Sequence, residues 1–345
     1  MLNYVLTLLK DTERKPLYKV ALEMTECTIR EKEIPYYYLA NLLYKKDVNN
    51  YRDYIGRTNM YKVINNLFDP YNTEDLQDKF KFSEIMSENN LPSPITQRLS
   101  SKGRFYINGV YSDISQSEFT NLLKSAIDAS KSQSIFIKPI NLNAGRYCFE
   151  VNNESLNDKS LLKEIFDFLK TEEFIYQETI QQHSAIDKIY KDSVNTIRLH
   201  SYFDKKNDKV EIISALMRFG KDGTKVDNTS AGGLYVPIDI EEETLKGLGR
   251  SFYKHGGKYF IKHPNSEVVF NNYKLPFMEE VYEIVDKASR LFNNPVIGWD
   301  LAITTQGISI VEGNYCPHLV MAQVAAGGFR NNPEFMRAMG EYIDN

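Results

Sequence analysis

Apolar positions along the first 80 residues recur mainly at helical spacing, in a stretch rich in Tyr, Leu, Lys and Asn, and predict a helical N-terminal segment. A further helix is expected over Lys81 to Asn90, ending at NNLPSP, where Pro92 and Pro94 cannot continue it. Short strand-like pieces follow around RFYINGVY, then a helix from Ser117 to Ser130 and the strand SIFIKPI, Ser134 to Ile140. Leu162, Ile165, Phe166 and Leu169 form one stripe and predict a helix over Leu161 to Lys170. FIYQETI, Phe174 to Ile180, reads as a strand running into a connector. Two longer strands, VNTIRLHSYF and VEIISALMRF, are joined by the polar turn DKKNDK. Met278, Val281, Val285, Ala288 and Phe292 predict a helix from Met278 to Phe292. No repeat, low-complexity segment or long linker interrupts the chain, so the class is mixed α and β with antiparallel hairpins, α+β rather than an alternating parallel fold.

The last strong pattern, VIGWDLAITTQGISIVEGN from Val296 to Asn314, reads as two apolar strands around a glycine-containing turn. A three-residue connection, Thr305-Gln306-Gly307, pairs Thr304 with Ile308, Ala302 with Ile310, and Asp300 with Glu312. Alternation then puts Ile308, Ile310, Glu312 and Asn314 on one side. Two carboxylates about 5 Å apart repel by roughly 3 kcal/mol at an effective dielectric near 20, so something must neutralise them. A shared proton, a basic side chain from elsewhere, or a hard cation held by the two acids and the Asn314 amide oxygen would each do so.

Composition narrows the function classes. The chain has 345 residues, 42% of them hydrophobic, enough for a sizeable core and two or more lobes. Its net charge of −4 provides no global positive field to recruit nucleic acid or anionic lipid, which leaves only a local basic groove open. Cys27, Cys148 and Cys316 are odd in number and lack CxxC spacing, which argues against a disulfide framework or a cysteine zinc site and for a reducing, cytoplasmic location. The N-terminal apolar patch is too short for a membrane span and has no features of a targeting signal.

Several side chains carry candidate chemistry. Lys138 ends an apolar strand beside the small-residue stretch INLNAGRY; it reads either as a clamp on phosphate oxygens or as a strand-end lysine in solvent. The loop has the single glycine Gly145 and is no Walker A sequence. Arg198 and His200 share one strand face, and Arg218 sits in the apolar run SALMRF. Inward arginines need anionic partners, which are either Asp300 and Glu312 or a ligand's phosphate and carboxylate. VDNTSAGGLY supplies Asp227, Asn228 and the Gly232-Gly233 turn, whose amides could approach a bound anion, or which is simply a turn. His183, His255, His263 and His318 lack metal-ligand spacing, and none is assigned to a metal.

Taken together, IFIKP, FIYQETIQQHS, SVNTIRLHSYF, ALMRFGKDGTKVDNTSAGGLYVPID and VIGWDLAITTQGISIVEGN, in that order, resemble the ATP-grasp superfamily. Within it they resemble the branch labelled sugar-transfer-associated or related to alpha-L-glutamate ligases. The resemblance covers a little over half the chain, from about residue 134 to 314. It implies two α+β lobes gripping ATP, with a helical segment over 1–80, a smaller lobe and adenine connector over 81–190, and a larger lobe with metal and acceptor sites over 191–345. It further implies Lys138 on the phosphates, Gln177, Glu178 and Ile180 along the adenine, and Asp300, Glu312 and Asn314 on Mg²⁺. Arg218 is expected at the γ-phosphate, with Arg198 as a second catalytic residue holding the acceptor carboxylate, and Asn228, Gly232 and Gly233 lining the acceptor pocket.

The reaction implied is activation of a carboxylate by ATP to an acylphosphate, followed by attack of an amine, joining an amino acid to a sugar acid or other carboxylate in surface polysaccharide assembly. Its partners would be those small molecules, with no nucleic acid and no membrane span. Two other readings stay open: a small-molecule or sugar kinase on the same fold, and a non-catalytic nucleotide-binding partner of a glycosyltransferase system. Two features depart from the superfamily pattern. The phosphate-covering loop, Asn141 to Tyr147, is poor in glycine, and the N-terminal 80 residues do not resemble the strand-rich domain common there.

Overall fold

A computed structural model describes residues 2–67, 73–141, 147–317 and 319–343. The interior of the expected phosphate-covering loop, with Gly145, and also His318 lie outside the described residues.

Helices open the chain, as the periodicity predicts: α1 (Leu2–Lys10), α2 (Leu17–Glu31), α3 (Tyr36–Ala40), α4 (Arg57–Leu67), α5 (Glu74–Gln77) and α6 (Lys79–Glu88). Asp78 caps α6 by accepting from the amides of Phe80 and Lys81, and the helix stops ahead of Pro92. Next come β1 (Thr96–Ser101), β2 (Arg104–Ile107), β3 (Val110–Ser112), α7 (Gln116–Ala129), β4 (Ser134–Pro139), β5 (Phe149–Asn152), α8 (Lys159–Phe168) and β6 (Glu173–Glu178). Ser115 and Glu118 close a capping box on α7, and Asp158 caps α8. The six strands form one sheet in the order β3-β2-β1-β6-β4-β5. Leu123 and Ile127 of α7 and Leu162 and Ile165 of α8 bury its one face together with Phe105, Ile135, Ile137 and Phe174.

The second half comprises α9 (Ser184–Asp187), β7 (Thr196–Asp204), β8 (Lys209–Phe219), β9 (Leu234–Asp239), β10 (Thr244–Leu245), β11 (Gly249–Ser251), β12 (Tyr259–Phe260), α10 (Met278–Ser289), β13 (Val296–Thr304), β14 (Gly307–Asn314), α11 (Leu319–Ala325) and α12 (Pro333–Met339). Its sheet runs β12-β11-β9-β8-β7-β13-β14, with β10 on β9. Trp299, Ile297, Leu301 and Ile303 turn to one face, against Phe82 and Met86 of α6 and Met278, Val281 and Val285 of α10. Trp299 is fully buried, and its indole N–H donates to Ser201 Oγ at 2.8 Å, so the large ring is accommodated without an orphan donor. The other face is covered by the N-terminal helices, through contacts that include Leu216 and Tyr235, and by α11 and α12.

The hairpin β13–β14 corrects the expected register. Thr304 opposes Gly307, not Ile308, so the turn has two residues, Thr305 and Gln306, and Ala302 faces Ser309. Gly307 has φ +116, the positive value its place in the turn suggested. A bulge then leaves Val311 unpaired between Leu301↔Ile310 and Asp300↔Glu312. The extra residue reverses the facing of everything beyond it. Ile308 and Ile310 belong to the core, whereas Glu312 and Asn314 line the opposite, open side, so the four do not share one face as simple alternation predicts.

Candidate functional site

Between the two sheets lies a cleft of about 520 Å³. From the smaller sheet, alternation along β4 sends Ile135 and Ile137 into the core and Phe136 and Lys138 into the cleft. The β6 register places Gln177 beside Phe136 on that wall, followed by Glu178, Thr179 and Ile180. From the larger sheet come Thr196, Arg198, Arg218, Asp300, Glu312 and Asn314, and from the loop between β8 and β9 come Asp227 and Asn228. Gly232 and Gly233 are not among the lining residues. Gly233 is packed so closely that a Cβ would sit 2.7 Å from the carbonyls of Asp227 and Phe219, which makes it a structural glycine of this turn.

The register writes a row of charges across three strands: Arg198 opposes Asp300, and Asp300 opposes Glu312. Arg198 donates Nε–H to Asp300 Oδ1 at 2.5 Å and Nη2–H to Oδ2 at 2.9 Å, a bidentate pair. Arg218 reaches Oδ2 of the same carboxylate at 3.1 Å and Asp227 at 3.4 Å. Thr196 ties the set together, accepting from Arg218 Nη2 at 2.5 Å and donating its amide N–H to Asp227 at 2.9 Å. Burial alone would raise the Asp300 pKa, but the two guanidiniums outweigh it and hold the group well below the usual carboxylate range. At Asp227 the balance is reversed: desolvation exceeds the pull of Arg218 and its pKa is raised. Of the neutralisers the hairpin demanded, arginine supplies the one for Asp300.

Glu312 is different. Among the described residues it makes no ion pair, and its negative charge acts on both Lys138 across the cleft and Arg218. Lys138 is not a solvent-exposed strand end; it is buried, and desolvation lowers its pKa to about 8, against the attraction of Glu312. Asn314 donates Nδ2–H to the Gly298 carbonyl at 3.1 Å, which leaves its amide oxygen as the group available to a ligand. The Glu312 carboxylate and the Asn314 oxygen therefore suit a hard cation, while both Asp300 oxygens are engaged by arginine here. Among the described residues no group of three or more His, Cys, Asp or Glu is arranged to hold a metal. Gln177 donates to Thr96 Oγ1 at 2.6 Å, and Glu178 accepts from the Lys131 amide at 2.8 Å.

The chain matches the profile of a family described as sugar-transfer associated ATP-grasp over residues 58–332. It belongs to that family. Three solved structures are similar in fold to this ATP-grasp chain. D-alanyl-alanine synthetase A from Vibrio cholerae is 13% identical, with a TM-score of 0.43, over 81% of this chain and 63% of that one. The ATP-grasp ligase PsnB, complexed with a phosphomimetic variant of a minimal precursor, Mg and ADP, is 11% identical, with a TM-score of 0.44, over 80% and 62%. N5-carboxyaminoimidazole synthetase from Staphylococcus aureus, complexed with ADP, is 10% identical, with a TM-score of 0.40, over 71% and 45%. The match thus spans less than two thirds of the length of each. No curated protein matches the sequence.

The ATP-grasp cleft also gathers residues that periodicity did not single out. Lys79 of α6, Lys191, Lys225, Thr196, Glu150 and Cys148 line it. Thr196 was legible in principle, because it lies two residues before Arg198 on the same strand face. Lys79 was not: it is on a helix from a separate part of the sequence, and its ammonium donates to the Ile140 carbonyl at 3.0 Å. No helix among the described residues is long and apolar enough to cross a membrane.

Proposed function

We propose that this chain is an ATP-dependent carboxylate–amine ligase that works through an acylphosphate and joins an amino acid to a sugar acid or another carboxylate in surface polysaccharide assembly. The observation that carries the reading is the convergence on one cleft of a buried lysine from one lobe and two arginines, the acids Asp227, Asp300 and Glu312 and the amides Asn228 and Asn314 from the other. A smaller lobe over 81–190 and a larger lobe over 191–345 would close on the nucleotide, with 1–80 as a helical addition. The family's association with sugar transfer supports a sugar acid as the carboxylate partner.

Lys138 would clamp the phosphates, and its burial makes a bound anion the natural compensation for its charge. Gln177, Glu178 and Ile180 would line the adenine. Arg218, held from two sides by Asp227 and Asp300, is preorganised to face charge developing at the γ-phosphate. Arg198 would orient the acceptor carboxylate, with Asn228 at that end. Glu312 and Asn314 would hold magnesium, which when bound neutralises phosphate oxygens, and Asp300 would join them only by giving up an arginine contact.

A screen of uronic acids against amino acids, with phosphate release and product mass as readouts, tests this. An ATP-dependent product one water lighter than the summed substrates is expected. A product that gains phosphate would assign the cleft to a kinase, and nucleotide binding without turnover to a non-catalytic partner of a glycosyltransferase system.

A further inference from the structure

Helix α2 is built inside out. Its three acids are all engaged with neighbours. Glu23 accepts from Lys15 Nζ at 2.6 Å and from the Tyr38 hydroxyl at 2.5 Å, in the interior. Glu31 is buried and accepts from the Gly56 amide at 2.9 Å, from Asn59 at 2.9 Å and from Arg330 at 3.0 Å. Glu26, at the edge, binds Tyr51 and Arg52, which hold its pKa near 2.

The outward face is the apolar one. Tyr18, Leu22 and Ile29 are 71%, 67% and 74% exposed, and with Thr25 they follow the i, i+4, i+7, i+11 spacing of one helix stripe. Leu17, Ala21 and Thr28 are exposed beside them. The hydroxyls of Thr25 and Thr28 donate to the carbonyls of Ala21 at 2.9 Å and Met24 at 2.8 Å, so each already has an acceptor within the helix. The charged residues exposed along the stretch are Lys19 and, just past the helix end, Lys32, while the partly exposed Glu26 side chain is paired with Arg52. The preceding helix α1 also exposes Val5, Leu6 and Leu9, followed by Lys10.

A 15-residue helix is about 22 Å long, too short to span a bilayer and suited to lying in its surface. We propose that α2 docks flat on an anionic lipid surface, with Tyr18, Leu22 and Ile29 in the headgroup–acyl boundary and Lys19 and Lys32 on acidic headgroups. A second copy fits the same face less well. Antiparallel pairing of two α2 helices brings Lys19 toward the partner helix's C-terminal end, where Lys32 lies, and the one partly exposed carboxylate of the helix, Glu26, is already held by Tyr51 and Arg52. The stretch also precedes residue 58, where the family match begins, and none of its residues lines the cleft, so the proposal does not rest on the ligase reading.

The test is co-sedimentation of the full chain with phosphatidylcholine vesicles, with and without a one-third share of phosphatidylglycerol. Binding is expected to the anionic vesicles and not to the neutral ones. Lys19→Ala with Lys32→Ala should weaken it by about 25-fold, since each lysine near such a surface contributes about fivefold. Leu22→Ser with Ile29→Ser should weaken it at least about tenfold, from lost apolar burial. Tyr18→Trp keeps an aromatic ring on the face, and its fluorescence should shift to the blue on anionic vesicles even where the serine pair fails to fold. Absence of binding, or equal binding to neutral vesicles, overturns the proposal. So does a lipid-free dimer, seen by sedimentation, that Leu22→Ser with Ile29→Ser dissolves, because the face then belongs to a second copy.

Discussion

The two walls of the cleft handle buried charge in opposite ways. On the larger lobe Arg198, Arg218, Asp227 and Asp300 form a closed set in which each charge has a partner already present in the chain. On the smaller sheet Lys138 is buried without an ion pair among the described residues, and it responds by losing basicity. A compensated network is a rigid platform and contributes to the fold as it stands. An uncompensated charge is a standing cost that a ligand can relieve, so ligand dependence should concentrate at Lys138 and at Glu312, which lacks an ion pair in the same sense.

Substitution on the compensated wall gives the largest expected effect. Asp300→Asn leaves two buried guanidiniums without their shared carboxylate and should lower unfolding free energy by about 3 to 5 kcal/mol, measured by denaturant titration. A loss below about 1 kcal/mol would falsify the idea that this carboxylate anchors both arginines.

Lys138→Met sharpens the other side. It removes a desolvated cation, so the protein without ligand should melt at or above wild type. The roughly 2.7 kcal/mol of stabilisation expected at a hundredfold excess of Mg-ATP over its Kd should disappear. A variant that melts well below wild type yet keeps that stabilisation would return Lys138 to a purely structural role.

The pH dependence follows from the same lysine. Its folded pKa, about 8, is below the ordinary value of 10.5, so the charged form costs stability below pH 8, and that cost lifts as pH rises from about 8 to 10.5. Nucleotide binding runs the other way, because the ammonium is the form that holds phosphate: affinity should fall as pH passes about 8. Calorimetric titration across that range checks it, and a profile that stays flat, or that is unchanged in Lys138→Arg, removes the ammonium from binding.

Glu312→Gln is the smallest effect on the protein alone. With no ion pair to break, stability should stay within about 1 kcal/mol of wild type, at or above it, while Mg-ATP stabilisation and turnover are lost. A large drop without ligand would show that Glu312 is a member of the arginine network after all.

Much of the fold was legible because its helices and long strands carry strong periodicity. The helix expected over Ser117 to Ser130 forms at Gln116–Ala129, and the strand expected from Ser134 forms at Ser134–Pro139. β9, α11 and α12 have no counterpart among the expected elements, and other missed elements carry little pattern. β10 and β12 have two residues each, β11 has three, and TQRLSS of β1 contains a single apolar side chain, so none offers a period to read. Within the site, Lys138, Arg198, Arg218, Asp300, Glu312, Asn314 and Asn228 come together on one cleft, whereas Gly232 and Gly233 shape a turn beside it.

The chain by itself placed Asp300 and Glu312 on the two strands of one hairpin; that they oppose one another follows from a two-residue turn followed by a bulge, which together restore the pair that a three-residue turn would have made. The chain could not determine how each acid would be neutralised. The unpaired Val311 turns Glu312 away from Ile310 and into the cleft, and a bulge leaves no mark in an apolar–polar pattern. Arg198 lies 102 residues before Asp300 and becomes its neighbour only because β7 pairs with β13. Charge interactions depend on distance and burial, which are properties of the assembled sheets; periodicity fixes only the face a side chain takes within its own strand.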